Sequence, residues 1–270
     1  MRVALAQMDC SARSNAGNMA RLLELIDRQA RKEQPIDLLL APELFNVGYT
    51  PATFAKRCEK RGGPTEKALL KLARRLGWSI VAGLGVSEKD RLYNEAVVLD
   101  PAGVAVARYR KMHLFAAVGL DESDYFTRGT EPIVAPIGLV GATAAPPLSA
   151  GLAICYDVRF PELFRRYFLA EVPLICIVSA FPEPRGDHWR ALLPARAIEN
   201  QCFVLGCNRV GTEDGLTFAG YSAIIDPWGR VVAEAGPNEE VLLQADIDLK
   251  EVKRARRRIR CRAHLSPELL

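Results

Sequence analysis

Apolar residues recur along this chain in two alternating styles: short unbroken runs, and longer stretches where they return every three or four positions. The first style predicts buried strands and the second amphipathic helices. "RVALAQM" reads as a strand, followed by a helix through "NMARLLELIDRQARKE" with Ser14 or Asn15 as its cap. "DLLLAPEL" is a second short strand that ends in Pro42 and Glu43. Pro64 opens the helix "PTEKALLKLARRLG", which stops at Gly77, where a left-handed cap belongs. "SIVAGLGVSE", "LYNEAVVLD" and "GVAVARYRK" follow as strands, the last two joined by the turn "DPAG". The second half repeats the style. "GLAIC" is a strand, "PELFRRYFLA" a helix, "VPLICIVSA" a strand, "DHWRALLPARAIENQ" a helix and "CFVLGCNRV" a strand. "GYSAIIDPWG", "RVVAEAG" and "EVLLQADID" close the series as further strands.

Strand–helix units followed by strands on tight turns predict an α/β fold in which helices flank mixed sheets. No Gly/Ser linker or change of composition divides the 270 residues, so the expectation is a single domain over 1–270. "VGATAAPPLSAG" is the one loose segment and reads as a loop. The formal charge of +4 is too weak to suggest a nucleic-acid partner. No apolar run is long enough for a membrane span, and the start "MRVALAQMDC" shows no basic-then-apolar leader. The seven cysteines are odd in number, scattered and without a CxxC pair, which argues against a disulfide framework and for a reducing cytoplasm.

Three polar residues share one structural address. Glu43 ends "DLLLAPE", Lys111 ends "GVAVARYRK" and Cys155 ends "GLAIC". Strand ends are where active sites gather, because the scaffold is rigid and the next loop is free to vary. Singly, each has a plain explanation: a core cysteine, a helix-capping glutamate, an edge lysine beside Arg108 and Arg110. Together they form a chemical set. A thiol is mostly protonated at its free pKa and needs a base, a positive field or both. Glu43 can take its proton; Lys111 can lower the thiol pKa and then stabilise an oxyanion.

"APELFNVGY" around Glu43, "YRKMHLF" around Lys111 and "GLAICYDVRFPEL" around Cys155 resemble the three signature segments of the nitrilase, or carbon–nitrogen hydrolase, superfamily. The similarity runs from "VALAQMD" through "HWRALLPARAIENQCFV" and "NRVG" to "DPWG", nearly the whole chain. The resemblance implies a four-layer α–β–β–α sandwich and pairing of subunits as a homodimer or a larger homo-oligomer. It implies a catalytic Glu–Lys–Cys triad acting on a small carboxamide through a cysteine thioester, with no metal and no organic cofactor. It also implies a second glutamate in the loop after the lysine, for which "LDESDYFTRG" offers Glu122, with Asp121 and Asp124 as alternatives. The backbone N–H of Tyr156 and the ammonium of Lys111 would hold the oxyanion, each preorganised donor being worth about 3–4 kcal/mol. Asp157 and Arg159 are expected to form a supporting network beneath the nucleophile, and Pro161 to start the next helix.

In the family the "FPEPRGDHW" region lines the pocket, so Phe181 and His188 are expected to touch the substrate. Asp187 stands where similar members carry a small residue, which leaves substrate identity open. The flanking segments look most like the omega-amidase and deaminated-glutathione-amidase branches, whose substrates are dicarboxylic acid monoamides such as alpha-ketoglutaramate. A pocket arginine would suit such a carboxylate, and Arg159, Arg185 and Arg209 are the candidates. Nitrile or carbamoyl-amide hydrolysis would use the same triad, and a non-catalytic binding or scaffold role would not need all three residues. The histidines, His113, His188 and His264, show no zinc spacing, and His113 is expected to be structural. "KRARRRIRCR" reads as a helix with arginines on its wet face.

Overall fold

Alternating side chains on both faces of the same strand are apolar here, the mark of a sheet covered on each side. The computed structural model describes residues 1–12, 14–30, 35–117, 120–140, 147–266 and 268. Short turns of helix and two-residue bridges aside, the first half comprises β1 (Arg2–Gln7), α1 (Asn15–Gln29), β2 (Leu38–Ala41), α2 (Pro64–Leu76), β3 (Ser79–Glu88), β4 (Arg91–Leu99) and β5 (Ala105–Arg110). The second half comprises β6 (Val134–Ile137), β7 (Leu148–Ile154), α3 (Pro161–Leu169), β8 (Leu174–Ser179), α4 (Gly186–Asn200), β9 (Phe203–Asn208), β10 (Ala223–Ile225), β11 (Val231–Glu234), β12 (Val241–Asp246) and α5 (Lys250–Arg258). Ser14, not Asn15, caps α1 by accepting the Gly17 N–H, and Gly77 ends α2 at φ +70° as its position predicts. The central part of "VGATAAPPLSAG" lies outside the described residues, and its end, from Leu148, already belongs to β7.

One sheet runs β12-β1-β2-β3-β4-β5 and the other β11-β10-β9-β8-β7-β6. In each, three parallel strands form the centre (β1, β2 and β3; β7, β8 and β9), and antiparallel strands flank them. The halves therefore share a topology although no residue-level repeat is visible. Val3, Leu5, Leu38, Leu40, Val81 and Val98 turn toward the second sheet and form one core with Leu152, Ile154, Ile175 and Val204. Their neighbours Ala4, Ala6, Leu39, Ala41, Ile80 and Ala82 turn the other way, onto Leu22, Leu25 and Ile26 of α1 and Leu69, Leu72 and Ala73 of α2. Helices α3 and α4 close the far face: a Cβ on Gly151 of β7 would come within 2.6 Å of the Tyr167 ring of α3. The result is the expected α–β–β–α sandwich. Among the described residues no helix is long and apolar enough to cross a membrane.

The same period of two separates the basic residues of β5. Arg108 and Arg110 face outward into ion pairs with Glu66, Glu88 and Glu95, which blunt the open edge of the first sheet. Tyr109 and Lys111 fall on the opposite face and are both buried. Lys111 is thus no edge charge.

The chain after β2 is held close to β3. Phe45 N–H donates to the Gly83 carbonyl at 3.0 Å and Gly83 N–H to the Pro42 carbonyl at 3.2 Å. A Cβ at Gly83 would meet Glu43 Cα and the Pro42 carbonyl, each at 2.5 Å. Gly83→Ala is expected to cost roughly 1–3 kcal/mol of stability, as overpacking does, and to cut turnover disproportionately by displacing Glu43. Thermal unfolding beside an activity assay checks this; a variant with wild-type melting and turnover would show that the contact does not set the backbone of Glu43.

Candidate active site

Cys155 begins a single 3-10 turn, Cys155–Arg159, immediately after β7 and has φ +46°. A side chain with a β-carbon adopts that conformation at a cost of about 1–2 kcal/mol, so the surroundings must hold it there. Asp157 does so. Its Oδ2 accepts the Ile154 N–H at 2.9 Å and the Tyr109 hydroxyl at 2.7 Å. Its Oδ1 accepts the His113 N–H at 3.0 Å and lies 2.8 Å from His113 Nδ1. His113 also stacks on Phe160, with ring centroids 3.8 Å apart, which gives it a structural place. The expected network beneath the nucleophile exists, but Arg159 is not in it: Asp157 is filled by Tyr109, His113 and the backbone, and Arg159 turns outward to His188 Nδ1 at 3.1 Å. Pro161 does open α3.

Glu43, Lys111 and Glu122 converge. Lys111 Nζ donates to Glu43 Oε1 at 2.7 Å and lies 2.9 and 2.8 Å from the two oxygens of Glu122. All three are buried. Glu122 also accepts the Tyr49 hydroxyl at 2.5 Å and the Phe115 N–H at 2.9 Å. Asp121 caps the short turn Glu122–Asp124 instead, and Asp124 is exposed, so neither alternative joins the cluster. Two residues that the sequence reading left unassigned complete Glu43: Asn94 Nδ2 donates to Oε1 at 2.6 Å and the Ala180 N–H to Oε2 at 2.7 Å. Asn94 carried a signal, a polar residue inside the apolar run of β4. The Ala180 amide carried none, because backbone donors have no sequence signature.

The fields in this cluster compete. Burial disfavours the Lys111 ammonium, yet Glu122 and Glu43 hold its pKa well above the ordinary lysine value. Burial lifts the Glu122 pKa, Lys111 pulls it down and Glu43 pushes it up again, with a net rise. The Cys155 thiol is raised by burial and by Glu43, against the opposing pull of Lys111 and the Ser179 hydroxyl. Ser179 is its neighbour by register, since Ile154 pairs with Val178 across β7 and β8. The resting thiol is therefore protonated, not the standing low-pKa thiolate that a reactive cysteine suggests. A carboxylate that takes the proton as sulfur attacks suits this arrangement.

A small cavity of about 140 Å³ reaches Cys155. Tyr49, Phe115, Tyr156 and Phe181 give it aromatic walls, and Arg159 and Arg185 add charge. Tyr156 and Phe181 are thus among the residues that line it. His188 is not: it is exposed, outside the lining, and meets the cavity only through Arg159. Arg209 is also outside the lining, fully buried between Glu213 at 2.7 Å and Asp9 at 3.3 Å.

The family model for carbon–nitrogen hydrolases matches residues 2–257. The 2-oxoglutaramate amidase of Bacillus subtilis (strain 168) is 38% identical over 258 residues, covering 95% of this chain and 94% of that protein. The omega-amidase NIT2 of Bos taurus is 33% identical over 262 residues, covering 96% and 92%. Among solved structures, a variant of the amidase from Nesterenkonia sp. AN1 superposes with a TM-score of 0.79 at 28% identity, covering 98% of this chain and 97% of that one. That structure is described as showing covalent addition of the acetamide moiety of fluoroacetamide at the active site cysteine.

Opposed fields on Cys155 give an opposed pair of variants. Glu43→Gln is expected to lower the pH midpoint of Cys155 alkylation by iodoacetamide and Lys111→Met to raise it, each by about one unit or more, while both lose amide turnover. Mass spectrometry of the Cys155 peptide across pH reads the midpoints. Shifts in the same direction, or none, would contradict the placement of the two charges.

Proposed function

We propose that this chain, which belongs to the carbon–nitrogen hydrolase family, hydrolyses a small dicarboxylic acid monoamide such as alpha-ketoglutaramate to the acid and ammonia. The observation that carries the substrate class is the pair Arg159 and Arg185. Both line the cavity that reaches Cys155, and among the described residues Arg159 meets His188 rather than a carboxylate. Their guanidinium groups lie over aromatic rings, Arg159 over Phe181 at 5.4 Å and Arg185 over Phe115 at 5.2 Å, which leaves the edge of Arg185, and the N–H groups of Arg159 not turned to His188, to donate. A substrate with an amide at one end and a carboxylate at the other fits between Cys155 and these donors. The two relatives named as amidases support amide over nitrile or carbamoyl substrates, and the complete Glu43–Lys111–Glu122–Cys155 cluster speaks against a scaffold role.

Glu43 takes the thiol proton while Cys155 Sγ forms a bond to the amide carbon, whose oxygen becomes an oxyanion. Lys111 and the Tyr156 N–H stabilise that oxygen. Tyr156 sits in the first turn after β7, where helical amides have no partner inside the turn. Glu43 returns its proton to the nitrogen, the C–N bond breaks and ammonia leaves a thioester. A water then gives its proton to Glu43 as it attacks; the C–S bond breaks, the acid departs and the thiol regains its proton.

A reducing cytoplasm suits seven free cysteines. The partner we propose is a second copy. Ile198 on α4 and Val231 and Val232 on β11 are exposed, and Gly229, just before β11, abuts Ile198, which brings apolar surface of the two segments close together.

Ammonia release measured over amides that differ at the far end, with Cys155→Ala as blank, tests the substrate class. Arg159→Ala or Arg185→Ala is expected to raise KM for the carboxylate-bearing amide about 10–100-fold and to leave a neutral amide of equal length unchanged. Equal use of charged and neutral amides by the wild-type protein would refute the class. For the assembly, light scattering after size exclusion is expected to give a dimer or larger oligomer that Ile198→Glu breaks down; a monomeric wild-type protein would remove the proposed face.

A further inference from the structure

Tyr49 takes no part in the steps above, yet it stands where the cavity wall meets the buried charges. It is only 5% exposed, its ring lines the cavity, and its hydroxyl reaches Glu122 Oε1 at 2.5 Å. The ring is wedged edge-on between Phe54 and Phe218, with centroids at 6.0 and 5.8 Å. The backbone is held as well. Glu213 accepts the Tyr49 N–H at 2.8 Å and the Thr50 hydroxyl at 3.0 Å, and is itself fixed by the buried Arg209 at 2.7 Å. A residue fixed from so many sides aims its one hydroxyl at one oxygen.

That oxygen matters because of what Glu122 does for Lys111. Oε1 accepts from Tyr49 and Lys111, Oε2 from the Phe115 N–H and Lys111. The charged or titratable groups facing Glu122 are Lys111, Glu43, Tyr49 and, more distantly, Cys155. Burial and Glu43 favour a proton on Glu122; the donors oppose it. Were Glu122 to take that proton, Glu43 would be the sole anion left for the ammonium, and a carboxylate so paired is a weaker base.

We infer that Tyr49 is a positioning residue of the reaction, whose hydroxyl holds Glu122 ionised with both oxygens on Lys111 and so keeps Glu43 basic enough to accept the thiol proton. The inference rests on the amide-hydrolase reading for its kinetic consequence but not for its electrostatic one. In Tyr49→Phe the ring and its packing stay and the hydroxyl goes. The sign follows from the lost bond: removing a donor to the charged form raises the carboxyl pKa, so protonation sets in at higher pH.

The direct experiment follows the Glu122 carboxyl carbon by NMR against pH in 13C-glutamate-labelled protein, assigned with Glu122→Gln. Tyr49→Phe is expected to raise the Glu122 midpoint by about half a unit or more, and Tyr49→3-fluorotyrosine, a stronger donor of nearly the same shape, to lower it. On the amide substrate, Tyr49→Phe is expected to lower kcat about tenfold or more and to move the acid limb of kcat/KM upward, with little change in KM. An unmoved Glu122 midpoint in both variants overturns the inference whatever the substrate is. A changed KM with unchanged kcat and acid limb overturns it too, since that is the pattern of a cavity wall. Failure of the wild-type protein to release ammonia from any amide would instead strike the functional reading and leave the NMR result to decide this one.

Discussion

A lysine ammonium with almost no access to water sits between two buried carboxylates, and the rest of the site is arranged around that fact. Moving such charges out of water costs several kcal/mol each, a loss recovered only when geometry is good and every remaining lone pair is used. Here it is used. Glu43 fills its oxygens with Lys111, Asn94 and the Ala180 N–H; Glu122 fills its own with Lys111, Tyr49 and the Phe115 N–H. The Ala180 bond has a further consequence, because Glu43 follows a strand of the first sheet and Ala180 follows a strand of the second. The cluster is therefore a polar rivet through the apolar seam of the sandwich, and the nucleophile sits beside it.

Burial explains the chemistry as well as the cost. In water a carboxylate and an ammonium three ångströms apart would be screened, and neither would bias a thiol by much. Inside the seam the same charges act strongly and need not reorient as the reaction proceeds. The thiol pKa is raised by its surroundings, and in the proposed reaction the thiol would give its proton to Glu43. Negative charge would then move from sulfur to carbonyl oxygen beside a cation held between two carboxylates.

Much of this could be read from the chain. Parallel strands buried on both faces write themselves as unbroken apolar runs, so the ends of β2 and β7 were visible, and with them Glu43 and Cys155; β5 is an antiparallel edge strand, and Lys111 was visible through the segment "YRKMHLF" instead. The family resemblance of "LDESDYFTRG" offered Glu122, with Asp121 and Asp124 left as alternatives. That the lysine turns inward while Arg108 and Arg110 do not came only with the fold, which shows which face of β5 is covered. What stayed hidden depends on packing across the seam. Tyr49 lay inside a quoted segment, but only the fold brings it to Glu122, 73 residues away. Arg159 looked like a partner for Asp157 two residues earlier, and the tight turn points the two side chains apart. His188 follows a strand end near the cavity, but the first turn of α4 carries it outward.

Asp157 shows how a carboxylate outside the reacting set can still govern it. One oxygen holds Tyr109, the residue two before Lys111, and the N–H of Ile154, the residue just before Cys155; the other holds His113, two residues after Lys111. The same side chain therefore clamps the strand end that delivers the ammonium and the strand end that delivers the sulfur. It also absorbs the left-handed conformation of Cys155 by capping the turn that follows. The distance between cation and nucleophile is a property of this clamp more than of either residue. A cluster of buried charges needs such an anchor, because its own attractions would draw lysine and glutamates together regardless of where the thiol lay.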